Sequence, residues 1–200
     1  MPTSQSEHWQ YTINEWKSDH FRRVTDPLPE KLNVIYDLGA NVGGWAKVMQ
    51  EKYPESEVHC FEPVRENYEA LTENMPTAHH HRFGIFYGKR KSTVCSRGDK
   101  NVGAFFVEHI DAGPPIIRHS ETIKLKTLEE LDLPEPDLIK MDIEGAEENV
   151  IAHSSMVKHC PWLIVEWHPN TNPYDFFATH LPNHRIVVDL EKMQFLLCLK

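Results

Sequence analysis

The sequence predicts an α/β protein with a mostly parallel sheet, an antiparallel C-terminal strand and an inserted β excursion. Three observations predict this fold. Short apolar segments alternate with segments of helical periodicity between residues 33 and 86. A glycine-rich turn, YDLGANVGG at residues 36–44, follows the first apolar segment. Two apolar segments near the C-terminus, 185–190 and 195–199, are separated by a short loop, which can join neighbouring strands only in antiparallel order.

The first part of the domain has the pattern of a β-α-β-α-β unit, which is typical of a parallel sheet with helices on both faces. Three consecutive histidines lie at the start of the third strand of this unit. His79 precedes the strand, and His80 and His81 are its first residues. They resemble a metal cluster, but neighbouring residues of a strand point to opposite faces, so we do not expect a metal there. The predicted elements are strand 33–38, helix 43–52, strand 58–61, helix 64–74 and strand 80–86.

The pattern changes between residues 89 and 126, where short β-like pieces are separated by glycine and proline. These pieces are 93–95, 104–107 and 122–125, and we predict that they form an antiparallel excursion near the cleft. Alternation then resumes. The remaining predicted elements are strand 137–143, helix 145–152, strand 162–167, helix 174–180 and strands 185–190 and 195–199.

Residues 1–30 are predicted to form an N-terminal helical arm, and residues 31–200 a single domain. Ile13, Trp16 and Phe21 have a spacing that places them on one face of a helix. The arm ends at a breaker cluster, DPLP. We expect it to pack on the domain, and whether it also covers a ligand is left open at this stage.

Charge and composition exclude several classes of protein. The chain has 200 residues, a net charge of −9 and a pI of about 5.8, which argues against binding to nucleic acid. No apolar run reaches the roughly 18 residues that a membrane span needs. The four cysteines have no C-x-x-C spacing and the N-terminus does not resemble a signal peptide, so we expect reduced thiols and a cytoplasmic protein. The sequence makes no prediction about the oligomeric state.

The glycine-rich turn carries an acid at its start. Gly39 permits a tight turn, and Gly43 lets the next helix begin close to a ligand. The turn lacks the G-x-G of a dinucleotide fingerprint, and Asp37 would repel a pyrophosphate. A carboxylate there would attract an ammonium or sulfonium group, and S-adenosylmethionine carries both.

A second acid follows the second strand. Glu62 lies 23 positions after Gly39, the spacing at which a carboxylate accepts hydrogen bonds from a ribose diol. Adenosine in either cofactor would satisfy Glu62, and only the sulfonium cofactor also suits Asp37. The two acids together therefore favour S-adenosylmethionine.

Four segments, DLGANVGG, CFEP, IKMDIEGAE and LIVEWH, resemble those of the FkbM-type family of S-adenosylmethionine-dependent methyltransferases, over about residues 33–168. The resemblance implies a class I methyltransferase (Rossmann-like) fold and methyl transfer to oxygen, often on sugars or polyketide-like metabolites. It also implies that Asp142, Glu144 and Gly145 form the motif after the fourth strand of the fold. We expect the cofactor to be bound by Asp37, Gly39, Ala40, Asn41, Gly43, Glu62 and Pro63.

Three residues are candidates for the chemistry: Asp142, Glu166 and His168. An alcohol must lose its proton as it attacks, and His168 is the best neutral base on its intrinsic pKa, with Asp142 second. The three could instead bind a divalent metal that holds a vicinal diol, although we favour the metal-free route because histidine is unusual for Mg²⁺. Acids at a helix start are favoured by the dipole, and this explains Glu147 without a role in the site.

The sequence therefore predicts an S-adenosylmethionine-dependent O-methyltransferase whose acceptor is a sugar hydroxyl of a glycan or glycoconjugate. The sugar is implied by the family resemblance. A small-metabolite O-methyltransferase is the alternative within enzymes. A nucleotide-binding oxidoreductase and a non-catalytic binding module are alternatives from other classes.

Overall fold

The computed structural model describes residues 5–96, 105–106, 119–191 and 194–200. These residues form seven α-helices and eleven strands. In chain order they are α1 Gln5–Trp16, α2 Asp19–Thr25, β1 Val34–Leu38, α3 Gly44–Lys52, β2 Glu57–Phe61, α4 Arg65–Asn74, β3 His79–His81, β4 Gly84–Ile85, β5 Lys91–Ser96, β6 Phe105–Phe106, β7 His119–Lys126, β8 Leu138–Met141, α5 Glu147–His153, α6 Ser155–His159, β9 Trp162–Glu166, α7 Pro173–His180, β10 His184–Leu190 and β11 Gln194–Leu199.

The main sheet has seven strands in the order β10-β11-β9-β8-β1-β2-β3. The pairings among β9, β8, β1, β2 and β3 are parallel, and β11 runs antiparallel to both of its neighbours. Strand β11 is antiparallel to β10 because only three residues connect the two. The predicted mostly parallel sheet with an antiparallel C-terminal strand is therefore confirmed.

Helices cover both faces of the main sheet, because the central strands are apolar on both sides. On one face, side chains of α1 to α4 pack against the sheet through residues such as Ile35 and Leu138. On the other face, α5, α6 and α7 pack against Ile139 and Leu163. The alternation along β8 thus divides the core into two layers.

The third strand of the main sheet is shorter than the single strand predicted for residues 80–86. Strand β3 stops at His81, and the next two strand residues, Gly84 and Ile85, belong to a second sheet. The chain leaves the main sheet because Gly84 and Ile85 pair with Leu125 and Lys126 of β7. A pairing across some 40 residues of sequence decides this change, and a local apolar pattern cannot reveal it.

The predicted antiparallel excursion is confirmed as a four-stranded sheet in the order β4-β7-β5-β6. Strand β5 pairs antiparallel with both β7 and β6. Of the predicted piece 104–107, the structure describes only Phe105–Phe106. Val94 and Ile123 of this sheet pack against Val64 and Ala146, which follow β2 and β8. The excursion therefore lies beside the carboxyl ends of the main strands.

The N-terminal region forms two helices that pack on the domain, although its division from the domain at residue 30 stays a prediction. Ile13 and Trp16 are buried, and Trp16 contacts Phe21 and Trp45 at ring-centroid distances of 4.8 and 6.2 Å. The expected shared face of Ile13, Trp16 and Phe21 arises from two helices rather than one, because the chain turns between Trp16 and Asp19.

Helix α1 lies directly against the start of α3. A Cβ atom on Gly44 would stand 2.1 Å from Thr12 Oγ1 and 3.0 Å from the Thr12 backbone carbon. No side chain fits at this distance, so glycine at position 44 allows α1 to sit on the helix that follows the glycine-rich turn. The N-terminal arm therefore packs directly against the end of the glycine-rich turn.

Two general expectations concern thiols and membranes. Cys60, Cys95 and Cys160 are buried, Cys198 is half-buried, and all four are free thiols, as predicted. None of the helices in the described part of the chain combines the length and the apolar character that crossing a membrane requires.

The contact between Gly44 and Thr12 generates a prediction about stability. Gly44→Ala should lower the free energy of unfolding by about 1–3 kcal/mol, the usual cost of overpacking, because the new methyl group displaces α1. Urea denaturation would measure the change.

Thr12→Gly provides the matched second variant. The loss on Gly44→Ala should be smaller in the Thr12→Gly background than in the wild type, since the two sites are in contact. Equal losses in both backgrounds would show that α1 does not rest on α3.

Candidate active site

The candidate site lies where the parallel strands β1, β2, β8 and β9 end. Carboxyl ends of parallel strands meet at the same edge of a sheet, and ligands of doubly wound folds bind outside this edge. The segments that follow these four strands begin at residues 39, 62, 142 and 167. All the residues predicted for the site therefore come from this edge.

The glycine-rich turn is held between β2 and β8. The backbone amides of Gly39 and Ala40 donate to the Phe61 carbonyl at 3.0 and 3.1 Å. Gly39 has φ +79°, and a Cβ there would stand 1.9 Å from the Asp142 carbonyl oxygen. Only glycine permits this approach, so the turn reaches the segment that follows β8.

Glu62 ties the same turn to β2. Its Oε2 accepts from the Asn41 amide at 2.9 Å and its Oε1 from the Val64 amide at 2.8 Å. The side chain is buried, and burial raises the pKa of Glu62 to about 7, against the lowering effect of the two amides. Asn41 and Gly43 adopt positive φ values of +51° and +92°, which bend the chain around this carboxylate into α3.

The sequence suggested that the Asp37 carboxylate stands at the mouth of the turn, but the structure places it elsewhere. Its side chain is fully buried, and Oδ1 lies 3.1 Å from Lys140 Nζ on the neighbouring strand. Lys140 also donates to the Gly39 carbonyl at 3.2 Å and lies 3.3 Å from Asp142 Oδ2. The carboxylate of Asp37 therefore already has a cation beside it, and direct contact of Asp37 with a cofactor stays a prediction.

Two adjoining cavities open at this edge. The first lies between the glycine-rich turn and the excursion, and its walls include Phe61, Glu62, Pro63, Ile85, Val94 and Ile123. The second lies beneath helix α1, and its walls include Tyr11, Glu15, Trp45, Lys140, Glu166 and Gln194. The residues that line both are Gly39, Asn41, Asp142 and Glu144. A ligand that extends through both cavities would pass these four residues.

The described strands of the excursion line one of the two cavities, and our expectation that the excursion contacts the acceptor more than the cofactor stays a prediction. Val94 and Ile123 line the first cavity, beside Glu62, and α1 rather than the excursion covers the second. The described strands of the excursion therefore face the region predicted to bind cofactor. The arm, whose relation to a ligand the sequence left open, lines the other cavity through Tyr11 and Glu15.

Asp142, Glu166 and His168 are brought together, as predicted. His168 Nε2 lies 3.8 Å from Glu166 Oε1 and 4.0 Å from Asp142 Oδ1. Glu144 Oε2 is nearer still, at 3.7 Å, and Glu147 Oε1 is 3.0 Å from Nδ1 on the other side of the ring. We call these four carboxylates and the imidazole the acid–histidine cluster.

The acid–histidine cluster changes the expected state of His168. Although burial opposes it, the hydrogen bond and charge of Glu147, with Glu144 and Asp142, raise the pKa of His168 to about 9. The ring therefore carries a proton at neutral pH, whereas we expected a neutral base. A protonated His168 can orient carboxylates and hold their charge, but it cannot accept a proton.

Glu147 does more than the helix-start role that the sequence assigned to it. The side chain is fully buried; it accepts from the Ile143 amide through Oε1 and from the Gly145 amide through Oε2, both at 3.0 Å. Both amides belong to the loop before α5, and the helix has no side-chain cap hydrogen bond, so Glu147 orders this loop rather than capping the helix. Its contact with His168, 21 positions away, depends on the pairing of β8 with β9 and gives no local signal in the sequence.

Glu144 is the residue of the site that residue-level reasoning missed. It has φ +52°, an unusual value for a non-glycine residue, and such strain often accompanies functional sites. Burial, followed by the charge of Asp142, raises the pKa of Glu144 to about 7. The signal in the sequence was its place before Gly145, which has φ +100°.

The donor set could also hold a metal. Ligand atoms of Asp142, Glu144 and His168 lie within 4.8 Å of one another, and Glu166 is adjacent. Carboxylate oxygens with one imidazole suit Mn²⁺ better than Mg²⁺, which prefers oxygen ligands alone. The metal alternative with Asp142, Glu166 and His168 stays a prediction, as does the metal-free route.

Comparison with known proteins adds to this geometry. The sequence profile of the methyltransferase FkbM domain matches residues 37–196. The hexuronic acid methyltransferase AglP of Haloferax volcanii is 27% identical over 177 residues, which cover 86% of this chain and 71% of that protein. Methyltransferase 1 of Beauveria bassiana is 26% identical over 152 residues, which cover 62% of this chain and 59% of that protein.

Solved structures show the same architecture. The crystal structure of methyltransferase FkbM from Methylobacillus flagellatus KT has a TM-score of 0.59 at 15% identity, and the match covers 100% of this chain and 56% of that one. A methyltransferase structure from Pseudomonas syringae has a TM-score of 0.54 at 12% identity, covering 93% of this chain and 99% of that one. The predicted class I methyltransferase fold is confirmed. Because the family profile covers most of the sequence, the chain belongs to the FkbM methyltransferase family.

Proposed function

We propose that this chain transfers a methyl group from S-adenosylmethionine to a hydroxyl group of a sugar. The observation that supports the proposal most directly is the position of Asp142 and Glu144. Both line the cavity beside Glu62 and the cavity beneath α1, so a cofactor that extends from the first cavity into the second would meet an acceptor in the second cavity beside them. With family membership, which leaves the oxidoreductase alternative without support, this favours transfer between a cofactor and an acceptor.

The residues of the first cavity fit the adenosine half of the cofactor. Glu62 keeps acceptor capacity beyond its two amide bonds and can receive the ribose hydroxyls. Apolar walls from Phe61, Ile85, Val94 and Ile123 suit a base. Bound there, the cofactor would supply an electrophilic methyl group on sulfur.

The inner part of the second cavity fits the methionine half. Among the described residues, Trp45 Nε1 and Gln194 Oε1 are buried without a hydrogen-bond partner, and both residues line this cavity. An indole N–H can donate to a carboxylate, and an amide oxygen can accept from an ammonium group. One amino-acid group satisfies both, and it removes the cost of leaving them unpaired.

We assign proton removal from the acceptor to Glu144, with Asp142 beside it. The Glu144 pKa of about 7 suits a general base at neutral pH. His168 carries a proton and holds Glu144, Asp142 and Glu166 in place from within the cluster. Lys140 balances part of the charge from behind, through Asp142.

A sugar acceptor is supported by the outer part of the second cavity. Tyr11 is 51% exposed at its wall, as an aromatic ring that packs on a sugar face would be. Glu15 and Glu166 can accept hydrogen bonds from several hydroxyls. The relative AglP is named for a hexuronic acid. Because acids predominate around this cavity, we propose a neutral sugar here, and a small-metabolite hydroxyl remains the alternative.

A panel of neutral and uronic-acid glycans, incubated with S-adenosylmethionine and analysed by mass spectrometry, tests the proposed acceptor. The expected result is a one-methylene mass gain on a neutral sugar. A gain on phenolic or other small hydroxylated metabolites, with none on any glycan, would support the alternative.

The role of Glu62 gives a prediction about cofactor affinity. Glu62→Gln should weaken binding of S-adenosylhomocysteine by about 2 kcal/mol, because it removes a charge-assisted hydrogen bond to the ribose. Isothermal titration calorimetry measures this, and Glu73→Gln, at an exposed glutamate of α4, is the matched control. Unchanged affinity in Glu62→Gln would place the ribose elsewhere.

The assignment of the base gives a prediction about pH. The pKa of Glu144 is raised, so the carboxylate fraction, and with it kcat, should increase as pH rises through about 7. Glu144→Gln should abolish this rising limb of the pH–rate profile. It should also lower kcat by roughly a hundredfold or more. In His168→Gln the limb should move to higher pH, because the His168 cation lowers the pKa of Glu144.

The opposite pH dependence of the two variants would support the expectation from the sequence that His168 is the general base. If Glu144→Gln retained the limb and His168→Gln removed it, His168 would be the base. S-adenosylhomocysteine affinity, measured for both variants, separates loss of chemistry from loss of the fold.

Asp142 gives the prediction about metal dependence. Asp142→Ala should reduce kcat by at least about a hundredfold, with exposed Asp132→Ala as the control. On the metal-free route that we propose, a chelator should leave wild-type turnover unchanged. Loss of turnover that Mn²⁺ or Mg²⁺ restores would instead make the acid–histidine cluster a metal site.

A further inference from the structure

A second group of ligand-type side chains lies on one face of the β2–β3 pair, away from the acid–histidine cluster. Glu57 and His59 alternate along β2, and His79 and His81 alternate along β3, with His59 directly opposite His79. Alternate residues of a strand share a face, so all four side chains are neighbours. His80 lies on the other face, where its Nε2 bonds the Met75 carbonyl at 2.9 Å.

Three of these side chains have ligand atoms close to one another. His59 Nε2 is 2.8 Å from Glu57 Oε1, and His79 Nε2 is 3.6 Å from the same oxygen. Each of the three offers a ligand atom within 4.8 Å of the other two. Ligand atoms of a tetrahedral Zn²⁺ site, at about 2.0–2.2 Å from the ion, are separated by roughly 3.3–3.5 Å. The observed separations bracket this value.

Stacking and hydrogen bonds order the imidazoles on this face. The rings of His59 and His79 are stacked with their centroids 4.6 Å apart. His59 is buried, and its Nδ1 shares a hydrogen bond of 3.1 Å with His81 Nε2. In the tautomer with the proton on Nε2, His59 donates to Glu57 Oε1 at 2.8 Å; in the other tautomer Nδ1 donates to His81, and the Nε2 lone pair is available to a cation.

We propose that Glu57, His59 and His79 bind a Zn²⁺ ion, with water as the fourth ligand. Two imidazoles and a carboxylate are a common ligand set for zinc with one open position. The side chains of Glu57 and His79 are 42% and 57% exposed, so the ion has access from solvent and His79 can tilt out of the stack to face it. His81 supports the site by fixing the tautomer of His59.

The ion would join a short edge strand to the sheet. Strand β3 has only three residues, and its other edge is not paired within the described part of the chain. The His81 carbonyl accepts from the Glu62 amide at 3.0 Å, so the strand pair that holds the ion also carries Glu62 at its far end. The ion has a structural role and does not enter methyl transfer.

Zinc binding by the whole chain tests the proposal. After treatment with a chelator and its removal, the protein should take up one equivalent of Zn²⁺ in calorimetry through this site. Binding should raise the thermal midpoint by roughly 5 °C at a hundredfold excess over Kd. His79→Gln and Glu57→Gln should each weaken this binding at least tenfold. The matched control His80→Gln, on the same strand pair but the other face, should bind as tightly as the wild type.

Further outcomes are decisive. His168→Gln should retain this equivalent of zinc. Loss of the equivalent in His168→Gln, with retention in His79→Gln, would place the ion in the acid–histidine cluster and overturn the proposal. Zinc binding that is unchanged in both His79→Gln and Glu57→Gln, or no zinc binding by the wild type, would also overturn it. Circular dichroism confirms that the variants, whose substituted side chains are half-exposed, retain the fold.

Discussion

A single buried cation, Lys140, holds together the edge of the sheet on which the site is built. Its ammonium group lies within 3.3 Å of Asp37 in β1, the Gly39 carbonyl in the glycine-rich turn and Asp142 after β8. Although burial opposes the charge on both groups, Asp37 and Asp142 raise the pKa of Lys140, and Lys140 in turn works against the burial that raises the pKa of Asp37. Removing one partner of such a pair leaves a buried charge, which costs about 3–5 kcal/mol.

This ion pair determines how charge is distributed at the site. Because Lys140 is shared between Asp37 and Asp142, the carboxylates farther out have to be balanced by another cation, and within the described residues His168 provides it. The high pKa of His168 is thus a consequence of the acids around it and not a property of its strand. A histidine in this setting positions carboxylates, and the group that we propose as proton acceptor is Glu144, whose pKa is raised to about 7 by burial and then by the charge of Asp142.

Sequence patterns predicted what local chemistry decides. Period-two and helical spacing gave the central strands and most helix positions within one or two residues, and the acid–glycine spacing led to Glu62. Contacts between distant segments could not be predicted: the chain leaves the sheet before Gly84 to pair with β7, and Glu147 reaches His168 across two strands. Asp37 is a further example. Its carboxylate was identified from the sequence, but its pairing with Lys140 on the adjacent strand was not predicted.

Strand β2 connects the two proposed sites through alternation alone. Glu57 and His59 point to the face on which His79 and His81 lie, whereas Glu62 follows the last residue of the strand and bonds the turn beside β1. The weakest support of Glu62 is therefore β3, a three-residue edge strand whose last carbonyl accepts the Glu62 amide. An ion bridging β2 and β3 would restrain that edge at the opposite end of β2 from Glu62, so it could stabilise this part of the sheet without adding charge to the acid–histidine cluster.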